Sequence, residues 1–347
     1  MIRVALASYG MSGEVFHAPL LAVHPDFQLY KILERNRNKS QEKYPEVTVV
    51  KKYEDILQDE QVDVVLVNTP NPFHYEMAEK ALNAGKHVVM EKPFTNTSEE
   101  AKKLIALANK KEKLLTVFQN RRLDSDFLTV KKVIESKLLG YLVEYEAHYD
   151  RYRNFIQANT WKEESGPGSG ILFNLGSHMI DQALTLFGLP ERLSAKLAIQ
   201  REGGKTHDAY HLIFTYEKFQ VVLKSSYLVR DEGPRYKVLG NLGTFTKYGL
   251  DTQEDCLKAG QLPQGDDWGA EPPEIWGMLE TEIDGLHFRG EVASENGNYN
   301  LFYDNLSDAI QNGAELLVKP EEAMQVISLI ELAEQSNKER REVEVKI

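Results

Sequence analysis

The sequence contains a single cysteine, no long hydrophobic run and no excess of basic residues. One cysteine, Cys256, excludes an internal disulfide, and no charged leader precedes an apolar segment, so we expect a cytoplasmic protein. No run of about 18 apolar residues is present, and a membrane span is therefore not expected. The 53 acidic and 41 basic side chains give a net charge of −12, which disfavours nucleic acid as a partner. No cysteine and histidine cluster has zinc-site spacing, so we expect no metal.

Short apolar runs alternate with amphipathic segments through the first 120 residues. Runs without period-two alternation are typical of strands buried on both faces, and the segments between them supply crossover helices. Thr97 and Glu100 fit a capping box at the start of one such helix, residues 98–111. We therefore predict an α/β domain with a doubly wound parallel sheet over residues 1–120. Its predicted strands are Ile2–Ala7, Gln28–Leu33, Val47–Val50, Val62–Val67, His87–Met90 and Leu114–Phe118.

The pattern changes in the remainder of the chain, residues 121–347. Its apolar runs alternate more strongly and are joined by glycine-rich turns, which predicts a second, α+β domain with a large, open and mainly antiparallel sheet. We expect this domain to bind substrate, and one face of its sheet to be solvated or covered by another subunit. Residues 253–297 are rich in glycine, proline and acidic residues and are not assigned, whereas two helices are expected near 301–311 and 321–337.

A glycine-bearing turn follows the first predicted strand. The fingerprint G-x-G-x-x-G occurs here as Ser8, Gly10 and Gly13, with the first glycine replaced. Such a turn presents backbone N–H groups to a pyrophosphate, so a dinucleotide site is indicated, with Met11 and Ser12 inside it. The alternative is a tight strand-to-helix turn with no ligand. The N-terminal position and the second strand that follows favour the dinucleotide site.

The second predicted strand ends at Glu34, 21 residues after Gly13, about where an acid that bonds the adenosine ribose is found. Arg35, Arg37 and Lys39 follow it and form a cationic loop that could surround a 2′-phosphate. A solvated basic loop is the alternative. We favour NADP over NAD as the cofactor.

Polar residues also follow two later strands of this sheet. Lys92 and Pro93 come after the strand at residues 87–90, and ligands of such sheets bind beyond the carboxyl ends of the strands. The loop after the strand at residues 62–67 reads N-T-P-N-P, and it suits a rigid contact with a ribose. The alternative for that loop is a simple helix start. The candidate cofactor residues at these edges are Asn68, Thr69, Pro70, Asn71, His74, Glu91, Lys92 and Asn120.

A helix predicted after Gly170 and ending at Gly188 carries polar residues on an apolar background. With α-helical spacing, Asn174, His178 and Asp181 share one face. Buried polar groups need partners, so these three form either a structural network or part of a reaction centre.

At this point the sequence resembles the glucose-fructose oxidoreductase, inositol dehydrogenase and MocA (Gfo/Idh/MocA) family. The motifs that carry the resemblance cover most of the chain. They are F-H-A-P-L at 16–20, A-G-K-H-V-V-M-E-K-P at 84–93, Q-N-R-R at 119–122 and G-S-G-I-L-F-N-L-G-S-H-M-I-D-Q-A-L at 168–184. The R-Y-R segment at 151–153 and W-K-E at 161–163 resemble the branch with NADP-dependent scyllo-inositol dehydrogenases.

The resemblance implies a Rossmann domain, an open C-terminal sheet that makes dimer or tetramer contacts, and transfer of a hydride between NAD(P) and a sugar or polyol. It implies that Lys92 polarises the reacting oxygen and that His178 exchanges its proton. Asn174 stands where relatives usually have aspartate, so the proton affinity of His178 should fall, unless Asp181 assumes part of that role. Loss of turnover with retained binding, as in a sensor protein, is the alternative function.

The segments that should border the substrate cleft supply donors and aromatic faces suited to a hydroxyl-rich ligand. Rim or core packing is the alternative for each of these side chains. The candidate substrate-binding residues are Lys92, Arg122, Tyr149, Arg151, Tyr152, Trp161, Asn174 and His178.

Overall fold

The computed structural model describes residues 1–158 and 160–347, with the side chain of Trp161 outside the described part. The chain forms two compact units. Unit 1 contains Met1–Asn120, Gln253–Trp268 and Asn298–Met324, and unit 2 contains Arg121–Thr252, Gly269–Gly297 and Gln325–Ile347. The predicted division after residue 120 thus coincides with the end of the first segment of unit 1, while two later segments also pack in that unit. No helix in the described ranges is long and apolar enough to cross a membrane.

Unit 1 is built on six parallel strands in the order β3-β2-β1-β4-β5-β6. The predicted doubly wound sheet is confirmed. Its strands are β1 Ile2–Leu6, β2 Phe27–Leu33, β3 Thr48–Val50, β4 Val64–Val67, β5 His87–Met90 and β6 Leu115–Val117. All four residues of β4 are buried, as its continuous apolar run requires.

Helices join these strands and cover the sheet. Their bounds are α1 Ala18–Val23, α2 Ser40–Lys43, α3 Glu54–Leu57, α4 His74–Asn83 and α5 Ser98–Lys111, with α8 Gln253–Lys258 and α9 Asn300–Asn312 from later in the chain. Helix α5 begins as predicted, because Thr97 accepts a hydrogen bond from the Glu100 N–H over 3.2 Å. The Glu100 carboxylate in turn accepts from the Asn96 N–H over 3.1 Å, one residue before the cap.

Unit 2 is built on a nine-stranded sheet in the order β14-β13-β12-β11-β7-β10-β9-β8-β15. Within this sheet, as far as the structure describes it, only β7 and β10 pair in parallel, so the predicted mainly antiparallel sheet is confirmed. The strands are β7 Leu142–His148, β8 Arg192–Ala198, β9 Ala209–Thr215, β10 Gln220–Ser226, β11 Tyr236–Gly240, β12 Gly243–Lys247, β13 Gly277–Ile283, β14 Leu286–Val292 and β15 Val343–Glu344. Three further helices are α6 Ser125–Glu135, α7 Ser177–Phe187 and α10 Pro320–Glu339.

The hairpin β13–β14 lies in the region that sequence analysis left unassigned. Its two-residue turn is Asp284-Gly285, and both residues have positive φ, 51° and 78°. An Asp-Gly pair between alternating segments is a strong hairpin signal, because both positions of such a turn require that conformation. The acidic and glycine-rich composition around the hairpin obscured this signal.

Candidate active site

The turn after β1 brings Ser8, Gly10 and Gly13 together with Asn68 at the end of β4. The Asn68 side-chain amide donates to the Ser8 carbonyl oxygen over 2.9 Å, and the Gly10 N–H donates to Ser8 Oγ over 3.2 Å. A Cβ at Gly13 would lie 2.6 Å from the Ser8 carbonyl oxygen and 2.8 Å from Asn68 Nδ2. Close packing inside the protein therefore requires glycine at position 13.

Gly10 is different, because it is exposed and a Cβ there would meet only Ser8 Oγ, at 3.5 Å. The packing of the protein leaves room for a side chain at this position. A ligand that lies against the backbone would fill that room and so require glycine. The next residues, Met11 and Ser12, lead into a π-helix, Ser12–His17, and Met11 is 56% exposed.

Three buried polar atoms at the ends of β4 and β6 have no hydrogen-bond partner within the described part of the chain. They are Asn68 Oδ1, Thr69 Oγ1 and Gln119 Oε1. Buried polar groups in proteins are nearly always paired, so these atoms call for a ligand with polar groups of its own. The hydroxyl and carboxamide groups of a nicotinamide nucleoside are such partners, and the residues present therefore fit a nicotinamide dinucleotide.

The loop after β4 continues through Pro70, which is exposed, and Asn71, which is buried and opens a 3₁₀ turn. His74 follows at the start of α4, with ring nitrogens 2.9 Å from the carbonyl oxygens of Thr69 and Pro93. Burial lowers the pKa of His74. The structure thus makes this histidine a clamp between two loops, in place of the direct cofactor contact that we predicted.

Glu34 at the end of β2 is buried and its carboxylate is occupied by the following turn. It accepts hydrogen bonds from the backbone N–H groups of Lys39 and Ser40, each over 2.9 Å, and from Ser40 Oγ over 2.5 Å. Both oxygens therefore serve the loop, and the geometry does not support the predicted bond from Glu34 to a ribose. Arg35 and Arg37 in the same loop are exposed and have no carboxylate partner among the described residues.

Glu91 and Lys92 follow β5. The Glu91 carboxylate lies 2.8 Å from His17 Nε2 and accepts from the Lys92 N–H over 3.0 Å, so it faces the protein and not a cofactor. Burial raises the pKa of Glu91, but the hydrogen bond from His17 and nearby positive charges outweigh it and hold the pKa below its usual value. Lys92 itself is half-buried, and Asn120, after β6, is buried.

In unit 2, His178 stands in the first turn of α7 and is buried. The preceding turn, Leu172–Gly176, is a π-helix, so the predicted continuous α-helix is wrong at Asn174. A π-turn inserts an extra residue and changes the direction of side chains on its N-terminal side relative to the helix that follows. His178 and Asp181 both lie in α7, Asn174 lies in the π-turn before it and is half-buried, and the shared face of Asn174 and His178 stays a prediction.

Asp181 forms a buried ion pair with Arg122. The two carboxylate oxygens accept from Arg122 Nη2 and Nε over 2.7 Å and 2.8 Å, and both side chains are at most 9% exposed. This fork-to-fork geometry is typical of a strong, structural pair. The pair holds Asp181 against Arg122, while the substrate contact of Arg122 and the part of Asp181 beside His178 stay predictions.

Tyr149 lies in the core of unit 2 beneath three guanidinium groups. The guanidinium carbon atoms Cζ of Arg235, Arg121 and Arg151 lie 4.4, 5.2 and 5.3 Å from the centroid of the Tyr149 ring. Cation–π contacts of this kind stabilise buried aromatic rings. Tyr149 therefore packs in the core at 2% exposure, Arg151 is half-buried, and the substrate contacts of both stay predictions.

The other two aromatic candidates follow Tyr149. Tyr152 is exposed, and its hydroxyl accepts a hydrogen bond from Arg230 over 2.7 Å. Trp161 begins a 3₁₀ turn, and its side chain lies outside the described residues. This turn is anchored by Glu163, whose carboxylate accepts from Arg201 over 2.7 Å.

Sequence analysis did not identify His17, which contacts Glu91, or Tyr303, which contacts His17, as candidate site residues. His17 belongs to the F-H-A-P-L motif, which contributed only to the resemblance. Tyr303 is in α9, 286 residues further along the chain, and its hydroxyl lies 2.7 Å from His17 Nδ1. No local pattern links the two positions, although a histidine inside a shared motif could have been examined as a functional residue.

The strand order of unit 1 and the glycine turn at the end of its first strand are the defining features of a dinucleotide-binding Rossmann domain. Residues 2–119 match the family model for the NAD-binding Rossmann fold of an oxidoreductase family, and residues 131–345 match the model for its C-terminal alpha/beta domain. The chain belongs to the Gfo/Idh/MocA oxidoreductase family.

Similar proteins include two named dehydrogenases and a solved structure. The chain is 43% identical over 343 residues to scyllo-inositol 2-dehydrogenase (NADP(+)) IolW of Bacillus subtilis, covering 99% of this chain and 95% of the relative. It is 29% identical over 192 residues to D-glucoside 3-dehydrogenase of Escherichia coli, covering 54% of this chain and 55% of the relative. The structure of the putative oxidoreductase yvaA from Bacillus subtilis matches with a TM-score of 0.97 at 42% identity, covering 99% and 98% of the two chains.

Proposed function

We propose that this oxidoreductase transfers a hydride between NADP and a secondary alcohol or ketone of a sugar or cyclic polyol. The observation that carries the proposal is the exposed glycine at position 10 beside two buried acceptors, Asn68 Oδ1 and Thr69 Oγ1, that lack partners in the described structure. A nicotinamide dinucleotide would account for both features at once. The similarity to scyllo-inositol 2-dehydrogenase (NADP(+)) makes scyllo-inositol the first substrate to test.

The cofactor is proposed to lie on unit 1. Backbone N–H groups from Gly10 to Gly13 would hold the pyrophosphate. Asn68 and Thr69, which follow β4, would hold the nicotinamide nucleoside. Arg35 and Arg37 would bind the 2′-phosphate, since guanidinium groups bind phosphate well. The commitment of Glu34 to the Ser40 turn supports NADP over NAD, because the carboxylate that would favour a ribose 2′-hydroxyl is already occupied.

The bound nicotinamide supplies hydride exchange with a carbon atom of the substrate. The chain supplies the charge and proton chemistry at the oxygen of the same carbon. In oxidation, His178 removes the hydroxyl proton, and the Lys92 ammonium stabilises the negative charge that develops on that oxygen. In reduction, Lys92 polarises the carbonyl and His178 returns the proton.

Asn174 tunes this proposed centre. An amide oxygen can accept a hydrogen bond but carries no charge, so it stabilises an imidazolium less than a carboxylate does. We expect Asn174→Asp to raise the pH at which His178 loses its proton, and so to shift the acidic limb of the pH–rate profile toward higher pH. A profile unchanged by this substitution would argue against a contact between position 174 and His178.

We further propose that unit 2 supplies the substrate-binding residues and that its sheet carries subunit contacts. The sheet has an alternating pattern of buried and half-buried residues, as in β9, and the half-buried side suits cover by another subunit. Light scattering coupled to size exclusion would measure the subunit number directly.

The test of the proposed function is a turnover assay on the purified protein. The protein is mixed with either NADP⁺ or NAD⁺ and with one candidate substrate, which is scyllo-inositol, another inositol or an aldose. Formation of the reduced nicotinamide is followed by its absorbance. We expect turnover with at least one polyol or sugar and a preference for NADP⁺. Tight NADPH binding without turnover across the panel would contradict an enzymatic role and favour a sensor.

A further inference from the structure

A chain of hydrogen bonds in unit 1 ends at the backbone of Lys92. The Tyr303 hydroxyl lies 2.7 Å from His17 Nδ1, and His17 Nε2 lies 2.8 Å from Glu91 Oε1. The second carboxylate oxygen, Glu91 Oε2, accepts the Lys92 N–H over 3.0 Å. Tyr303, His17 and Glu91 are all buried. Both oxygens of the carboxylate are therefore committed, one to the histidine and one to the lysine backbone.

The surroundings favour a protonated Tyr303 and an ionised Glu91, as these bonds require. A neutral imidazole donates through one nitrogen and accepts through the other, so Nε2–H can donate to Glu91 while Nδ1 accepts from Tyr303. Burial raises the pKa of Tyr303 well above its usual value, so the phenol keeps its proton and donates. The pKa of Glu91 lies below its usual value, so the carboxylate accepts.

Three distant parts of the sequence meet in this arrangement. His17 ends the π-helix that follows the glycine turn, Glu91 follows β5, and Tyr303 lies in α9. The His17 ring is also held by Phe118, with ring centroids 4.6 Å apart. Glu91 is thus fixed by His17 through one carboxylate oxygen while the other accepts the Lys92 N–H, and a rotation of the carboxylate would release that N–H.

We propose that Tyr303 and His17, acting through Glu91, are positioning residues that hold Lys92 in its reactive orientation. The inference rests on the proposed function, since it assigns Lys92 a part in the reaction. It adds that a helix from the last fifth of the chain controls the geometry of a lysine that follows β5. Displacements of about 1 Å in a reacting group can cost on the order of 100-fold in rate.

The experiment compares Tyr303→Phe and Glu91→Gln with the matched control His24→Asn. Tyr303→Phe removes only the hydroxyl at the outer end of the chain. Glu91→Gln leaves one acceptor where two are used. In the control, His24 pairs with Asp304 over 3.0 Å, so it also connects an N-terminal segment to α9, but it has no bond to Glu91.

The first measurement is steady-state kinetics with NADP⁺ and scyllo-inositol, together with NADPH affinity by fluorescence titration. We expect kcat to fall about 10- to 100-fold in both test variants. In all three variants the NADPH Kd should stay within about threefold of wild type, because only the position of Lys92 is expected to change. His24→Asn should keep the wild-type kcat. Unchanged kcat in both test variants, or an equal loss in His24→Asn, would overturn the inference.

The second measurement does not depend on turnover. Protein labelled with [¹⁵N]lysine gives one backbone amide signal per lysine, and Lys92→Arg identifies the signal of Lys92. Losing one hydrogen bond should speed exchange of this amide with solvent by about fivefold in Tyr303→Phe and Glu91→Gln. No acceleration in either variant would overturn the inference, even if scyllo-inositol were not a substrate. Acceleration with intact kcat would instead refute the proposed role of Lys92 in the reaction.

Discussion

Replacing Gly10 by alanine should separate cofactor binding from folding. The new Cβ would meet only Ser8 Oγ, at 3.5 Å, which is an ordinary van der Waals distance. Gly10 has no positive φ to forbid alanine, so the free energy of unfolding should stay the same or rise by about 0.4–1 kcal/mol. If the backbone lies against the pyrophosphate, the methyl group instead clashes with the ligand.

The size of the binding defect follows from the cost of overpacking. An extra methyl in a tight contact costs about 1–3 kcal/mol, which corresponds to a NADPH Kd about 5- to 150-fold higher. Gly13→Ala is the comparison, because its Cβ would lie 2.6 Å from the Ser8 carbonyl oxygen. That variant should lose about 1–3 kcal/mol of unfolding free energy as well as NADPH affinity.

Two assays are sufficient for this comparison. Urea unfolding followed by circular dichroism gives the free energy of unfolding, and fluorescence titration gives NADPH Kd. The reasoning is refuted if Gly10→Ala binds NADPH within twofold of wild type, because the exposed glycine then has no ligand to accommodate. It is equally refuted if Gly10→Ala is as unstable as Gly13→Ala.

Three further predictions test the cofactor loop, the helix α7 anchor and one pH effect. Arg35→Ala should weaken NADPH about tenfold without weakening NADH, and the double variant with Arg37→Ala should do so further, as measured by titration with both cofactors. Asp181→Asn should cost about 3–5 kcal/mol in urea unfolding because it leaves the buried Arg122 uncompensated, and a loss below 1 kcal/mol would contradict this. Burial lowers the pKa of His148, but its two carboxylate partners raise it more and bring the pKa above 6.5. Its stabilising contribution is therefore complete below pH 6.5 and lost as pH rises through the folded pKa, so His148→Gln should flatten the decline in melting temperature over that range.

Local patterns predicted most of the fold. The continuous apolar runs of unit 1 gave its six strands to within two residues at each end, because strands buried on both faces need apolar residues at every position. The packing of α8 and α9 within unit 1 could not be predicted, since it depends on contacts between residues far apart in sequence. One of these is the contact between His17 Nδ1 and the hydroxyl of Tyr303 in α9, over 2.7 Å.

The candidate site was predictable in its residue types but not in its contacts. Spacing and motifs pointed to Lys92 and His178, yet they could not show that Glu34 caps its own loop or that Asp181 binds Arg122. Those partners are decided by rotamers and by the path of the loops. The π-turn before His178 was also hidden, because its sequence has the apolar spacing of an ordinary helix.

The central claim is that Lys92 and His178 act on the same substrate oxygen. Its most direct measurement is the single-turnover rate of NADP⁺ reduction by saturating scyllo-inositol in Lys92→Ala and His178→Ala. We expect each variant to lose at least about 100-fold in this rate, as is typical for general acid–base assistance, while NADPH affinity stays nearly intact. A wild-type rate in either variant would contradict the claim.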